Sequence, residues 1–177
     1  MLIYEALKKD HQKVQALVDR LVNLKEGESE QRSTLISQIR DELVPHARAE
    51  EAVFYNSIRA INTAQDLIWD GYREHVEAEA LLRTLQAADK INADFRAAAV
   101  RLQSALKHHI AEEEGRMFSV AQQLFTEQEA RAMAEAFEEM KPEVREAGIM
   151  QNTLDAVANM LPQRLAEPLR HFTTQPH

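Results

Sequence analysis

Residues 46–55 read HARAEEAVFY and residues 109–118 read HIAEEEGRMF. Each runs from a histidine through three residues to a glutamate pair, and two residues later to an apolar pair. The surrounding sequence is dominated by Ala, Leu, Glu, Gln and Arg, all strong helix formers. In a helix, residues four apart differ by about 40° in angle and about 6 Å in height. His46 and Glu50 therefore share a face, as do His109 and Glu113. That face is the one the apolar rhythm assigns to the core. Ile39, Leu43, His46, Glu50 and Val53 follow one another in steps of three and four, and so do Leu102, Leu106, His109, Glu113 and Met117.

Working outward, the same period of about 3.6 recurs along the whole chain, and alternation of period two is rare. Only 4 Gly and 5 Pro occur in 177 residues, little of the turn punctuation that a many-stranded protein needs. The expected class is all-α: an antiparallel up-down four-helix bundle, a short fifth helix and a C-terminal helical tail. The helices are expected from about Ile3 to Leu24, Gln31 to Ile58, Ala64 to Ala87 and Ala93 to Leu124. Pro45 should bend or loosen the second. TEQE, residues 126–129, reads as a capping box opening the fifth helix, which should end near Pro142. The bundle is assigned to residues 1–125 and the extension to 126–177. The extension carries an amphipathic stretch around Leu154, Val157 and Leu161, expected to pack on the bundle or on the partner in a homodimer.

The chain also repeats itself. DHQKVQALVDRL from Asp10 aligns with EHVEAEALLRTL from Glu74 at an offset of 64 residues, and the two His-x-x-x-Glu-Glu segments align at an offset of 63. Residues 1–58 and 64–124 thus read as two copies of one helical hairpin, related in the bundle by an approximate two-fold axis. Each copy has a lone histidine on its first helix, His11 or His75, and a His-x-x-x-Glu on its second. On the third helix Glu79 follows His75 at the same one-turn spacing.

Four histidines and three glutamates thus converge on core stripes at similar depth. A single buried histidine is usually a hydrogen-bonded core residue. Three buried carboxylates are costly unless paired, and no Lys or Arg lies on the same stretch of stripe. A cation does that work. Imidazole and carboxylate without thiolate suit iron, manganese or zinc. Seven donors exceed one tetrahedral zinc and match two octahedral ions bridged by carboxylates. Neither His-Glu-x-x-His nor Glu-x-x-His is found at these positions.

The order His11, His46-x-x-x-Glu50, His75, His109-x-x-x-Glu113 resembles the haemerythrin-like HHE cation-binding domain over about residues 1–124. The resemblance implies a non-haem centre of two iron ions with an oxo or hydroxo bridge, other divalent metals being alternatives. It implies that His11 and His46 ligate one iron, His75 and His109 the other, and that Glu50 and Glu113 bridge them. The oxygen carriers of the family have a further His where this chain has Glu79, and an Asp five residues after the last His where this chain has a Glu at four. The chain is thereby closer to bacterial relatives that sense or handle oxygen, peroxide, nitric oxide or iron. If Glu79 ligates the His75/His109 iron, the open position falls on the other.

His108 is rotated about 100° from His109 and is read as a surface or outer residue. Asp10 and Glu74 are read as helix-surface residues, with orientation of imidazoles as the alternative. Glu51, Glu112 and Glu114 are read as solvated or paired at the surface, and Tyr55, Tyr72 and Phe118 as packing residues. Three functions compete: small-ligand binding or chemistry at a di-iron centre, a non-catalytic metal or redox sensor, and a metal-free helical interaction protein. The net charge of −8 works against nucleic acid as a partner. With no cysteine, disulfides and thiolate sites are excluded. Neither a secretory signal nor a membrane span is expected, and the expected location is the cytoplasm.

Overall fold

The computed structural model describes residues 1–61, 64–147 and 159–166. Leu154 and Val157, and with them much of the expected amphipathic tail, lie outside these residues, as do His171 and His177. Among the described residues no strand is found.

Helix α1 spans Ile3–Val22. Its core stripe is Leu7, His11, Val14, Val18 and Leu21, all buried, as the spacing requires. The Glu5 carboxylate accepts the Leu2 N–H at 2.7 Å, satisfying a donor that the first turn leaves unpaired. Gly27, at φ +94°, makes the left-handed turn into α2, a conformation that strains a residue with a Cβ. Helix α2, Ser29–Glu50, continues through Pro45. It then widens into one π-helical turn, Glu51–Tyr55, before α3, Asn56–Ala60. Helix α4 is Gln65–Ala87. Asn92 caps α5, Ala93–Glu112, its side chain accepting the Phe95 N–H at 2.9 Å. A second π turn, Glu113–Met117, leads into α6, Phe118–Leu124. Both π turns fall at the glutamate pair of the repeated segment. Nothing in the 3.6 periodicity announces them.

Helix α1 packs on α2 and α5, and α4 packs on α5 and α2, which closes the four-helix layer. The core is in two parts. One holds Ile3, Leu7, Phe54, Tyr55, Met117 and Phe118. The other holds Val14, Val18, Ile39, Leu82 and Leu102. Between them lies a layer of buried polar residues, each placed by its stripe: His11 between Leu7 and Val14, His46 and Glu50 between Leu43 and Val53, His109 and Glu113 between Leu106 and Met117.

The expected capping box is formed: Thr126 N–H donates to Glu129 Oε2 at 2.8 Å, and Glu129 N–H to Thr126 Oγ1 at 3.3 Å. The helix it opens, α7, is longer than expected. It runs Glu127–Ala147, 21 residues, straight through Pro142. Pro142 is exposed and lies in the last turns, so its ring meets solvent and only the Glu138 carbonyl loses its donor. Helix α7 lies across α1 and α2, burying Met133, Phe137 and Met140. Leu161 and Leu165 join the same core, and Arg164 ties this segment to Glu129 at 2.7 Å.

One backbone position is set by a close approach. A Cβ on Gly71 of α4 would lie 2.5 Å from the Tyr55 hydroxyl oxygen. Tyr55 is fully buried and stacks on the His75 ring, centroids 5.5 Å apart and planes 8° apart. Alanine normally favours a helix over glycine by about 1 kcal/mol. Gly71→Ala is nonetheless expected to destabilise the fold by about 1–3 kcal/mol, because Tyr55 has no room to retreat. Urea denaturation measures this, and a stabilised variant would show that the ring moves freely.

Candidate metal centre

The polar layer brings six of the seven candidate residues into one cluster. His11 Nε2 is 3.1 Å from Glu113 Oε2, and His109 Nε2 is 3.7 Å from the same oxygen. His46 Nε2 is 3.4 Å, and His75 Nε2 3.3 Å, from Glu50 Oε2. His75 and His109 face each other at 3.3 Å through their Nε2 atoms. Each carboxylate therefore meets one imidazole from each hairpin. Three overlapping groups lie close enough to share an ion: His11, His46 and Glu50; His11, His109 and Glu113; Glu50, His75 and His109.

The outer nitrogens explain the orientation of the rings. His11 Nδ1 lies 2.9 Å from Glu114, His75 Nδ1 2.9 Å from Glu51, His109 Nδ1 2.9 Å from Glu74, and His46 Nδ1 3.4 Å from Asp10. The pairing follows the internal repeat. The acidic residue before each lone histidine holds the histidine of its own hairpin's second helix. The second glutamate of each pair holds the lone histidine of the other hairpin. A carboxylate at Nδ1 fixes the proton there and turns the Nε2 lone pair inward. Glu51 and Glu114, expected to be solvated or paired at the surface, instead back two of the imidazoles, and for Asp10 and Glu74 the orienting alternative holds. The signal was present in sequence, since all four are acidic residues beside a candidate ligand. Adjacency on a helix, about 100° apart, made them look outward-facing.

Glu79 stands outside the cluster. It is buried, but Arg48 of α2 reaches it, Nη2 to Oε1 at 2.6 Å, and Arg83 lies 3.5 Å from Oε2. The nearer cation that pairs with Glu79 comes from another helix and not from a core stripe. Arg48 lies off the stripe of its own helix, and the crossing of α2 and α4 carries it to the acid. His108, 67% exposed, is an outer residue as expected and touches Glu74 at 3.3 Å.

The chemistry of the donor set fits a cation. His11 Nε2, His46 Nε2 and all four carboxylate oxygens of Glu50 and Glu113 are buried without a hydrogen-bond partner. They lie close together around one shared space. Orphaned buried polar atoms each cost on the order of 1–3 kcal/mol, more when charged. Ions held between them would remove that cost.

The protons tell the same story. Burial, followed by the Glu50 charge, pushes the Glu113 carboxyl well above the usual range. For Glu50 burial pushes upward too, but Glu113, His46 and His75 outweigh it and hold the group well below. Burial depresses His11 to about 3. Burial would also depress His75, but Glu50 and Glu51 lift it to about 9. His46 is likewise raised, Asp10 and Glu50 overcoming burial. Positive charge is therefore demanded at the centre of the layer, and protons supply it where a metal does not.

The class of protein is now defined: a helical bundle whose core carries a buried cluster of four imidazoles and two carboxylates that could hold a cation, each imidazole backed by a further acid. The sequence model of the hemerythrin HHE cation binding domain matches residues 2–121. The chain belongs to that family, and α7 lies beyond the matched residues. A curated relative from Nostoc sp. (strain PCC 7120 / SAG 25.82 / UTEX 2576), named DNA nickase, is 25% identical over 146 residues. The match covers 82% of this chain and 41% of that protein, so the chain spans less than half of the relative's length. No solved structure matches. Among the described residues no helix is long and apolar enough to cross a membrane.

Proposed function

We propose that this chain is a cytoplasmic non-haem di-iron protein that binds or handles a small ligand: oxygen, peroxide or nitric oxide. His11 and His46 hold one iron, His75 and His109 the other, and Glu50 and Glu113 span the two. The observation that carries this reading is the pairing of each orphaned carboxylate with one imidazole from each hairpin. Two iron ions would supply redox and Lewis-acid chemistry at that place. The protein's own part is to fix six donors, hold the imidazole protons on Nδ1 and limit access. A cleft of about 280 Å³ between α4 and α5, lined by Gly71, Glu74, His109 and Glu113 among others, reaches two of the donors and suits a small ligand. Glu79, engaged by Arg48, serves in this proposal as an acid beyond the ligands. On that reading neither iron has a sixth protein ligand.

A second reading is a non-catalytic iron or redox sensor. It is favoured by α7, which touches the site through Phe137 and so could report its state. The relative's printed activity on DNA belongs to that protein. A net charge of −8 repels a phosphate backbone at long range.

Anaerobic reconstitution followed by metal analysis tests the centre. Close to two irons per chain is the expected result, and well below one removes both readings. Steady turnover of peroxide or nitric oxide then separates chemistry from sensing.

Proton competition gives a further expected result. Burial and the Glu50 charge push the Glu113 carboxyl upward, and Glu50 and Glu51 lift His75 to about 9, so a metal entering the site competes with protons. Affinity should therefore rise as pH approaches about 9, where His75 loses its proton. Metal uptake at pH 7 in weak buffer should release protons, that of His75 among them. Affinity that stays flat as pH rises from 6.5 to about 9 would contradict this.

A further inference from the structure

The two halves of the repeat are alike in their ligands but not in what lies behind them. Behind His109, Glu74 uses separate oxygens, Oε2 for His109 Nδ1 at 2.9 Å and Oε1 for His108 at 3.3 Å. Behind His46, Asp10 uses one oxygen for two partners. Its Oδ2 lies 2.8 Å from Lys141 Nζ and 3.4 Å from His46 Nδ1. Lys141 belongs to α7, the helix beyond the family match. Its side chain is 17% exposed, and its ammonium lies over the Phe137 ring at 4.6 Å and has Glu138 as a second partner at 3.0 Å. Phe137 in turn meets His46 edge-on, centroids 5.6 Å apart.

The other outer acids also have cation neighbours, but none is so placed. Lys8 approaches Glu114 at 3.6 Å on the oxygen that does not face His11. Arg48 straddles both oxygens of Glu51 at 3.1 and 3.2 Å, and the His75 contact stays at 2.9 Å. Only at Asp10 does the cation come closer than the imidazole, and there the imidazole contact is the longest of the four. An ammonium on the shared oxygen draws electron density from the bond to Nδ1–H. A weaker bond at Nδ1 makes Nε2 a poorer donor to a metal.

We infer that Lys141 is a positioning residue that competes with His46 for Asp10 and makes the His11/His46 half the weaker of two otherwise equivalent metal positions. The inference rests on the reading of the polar layer as a two-metal site. It assigns to α7 the role of setting the inequality, since an exact two-fold repeat would hold both ions alike.

The test uses the full chain and zinc, which is diamagnetic and needs no activity assay. In the zinc-loaded protein the His46 Nδ1–H proton should resonate upfield of the other three imidazole protons, as a longer hydrogen bond requires. Lys141→Met should move it downfield toward the others and tighten the weaker zinc by on the order of tenfold. Lys141→Arg, which keeps the cation, should retain wild-type behaviour, a rescue that simple packing of α7 would not produce. If Lys141→Met does not fold, Lys141→Gln reads the same loss of charge. An unmoved His46 signal with unchanged zinc affinities, or weaker zinc binding in the uncharged variant, overturns the inference. Should wild type bind no zinc or iron, the two-metal reading fails, and the Nδ1–H comparison in metal-free protein still decides whether Lys141 competes for Asp10.

Discussion

Replacing Glu50 or Glu113 by alanine is expected to empty the site of metal. Each carboxylate is fully buried, and neither oxygen of either has a hydrogen-bond partner. Each also meets an imidazole of both hairpins, so its loss takes a donor and an anion from both halves at once. The fall in affinity should exceed the roughly hundredfold that loss of an orienting partner costs. The two variants should differ when metal-free. Glu50 is the anion beside His75, whose raised proton affinity depends on it. Breaking a buried pair from one side costs about 3–5 kcal/mol, so Glu50→Ala should be strongly destabilised even without metal. Burial and the Glu50 charge push the Glu113 carboxyl upward and so disfavour its charged form without metal, and Glu113→Ala should lose metal with a smaller loss of metal-free stability. Metal analysis and denaturation of both forms check this. Full iron content in both variants would end the bridging assignment.

Phe137→Ala should cost about 3–5 kcal/mol, the range for deleting a buried aromatic ring. Phe137 is fully buried, lies edge-on to His46 and carries the Lys141 ammonium on its face. Its removal leaves a cavity where α7 meets α1 and α2. It also uncovers the back of a metal-site imidazole, so weaker metal binding should accompany the loss. Val100→Ala, at an exposed position, should change stability by less than about 0.5 kcal/mol and serves as the reference. A loss below about 1 kcal/mol for Phe137→Ala would mean that α7 is not docked on the bundle in solution.

The family match covers the four-helix layer, and the structure adds α7 to the surroundings of the site. One half of the repeat is thereby covered, through Phe137 and Lys141, while the other opens into the cleft beside Gly71 and Glu74. A sequence repeat with an offset of 63 or 64 residues carries no hint of that difference. It arises because a single added helix can cover only one of two related faces.

The helices, the repeat and the placing of six candidate residues on core faces were legible from spacing alone, since residues on one helix keep a fixed angle whatever surrounds them. Leu43, His46, Glu50 and Val53 had to share a face, and a polar layer in the core had to follow. The capping box at Thr126 and Glu129 was equally local, a contact across three residues. What the tertiary structure decided were contacts between segments distant in sequence. Glu79 has the same one-turn spacing as Glu50 and Glu113, yet Arg48 claims it because α2 and α4 cross where a guanidinium can reach. Glu51 and Glu114 look outward on their own helices and become partners of His75 and His11 only when the hairpins pack face to face. Lys141 meets Asp10 across 131 residues. Such pairings depend on helix crossing and register, and no periodicity within one helix encodes either.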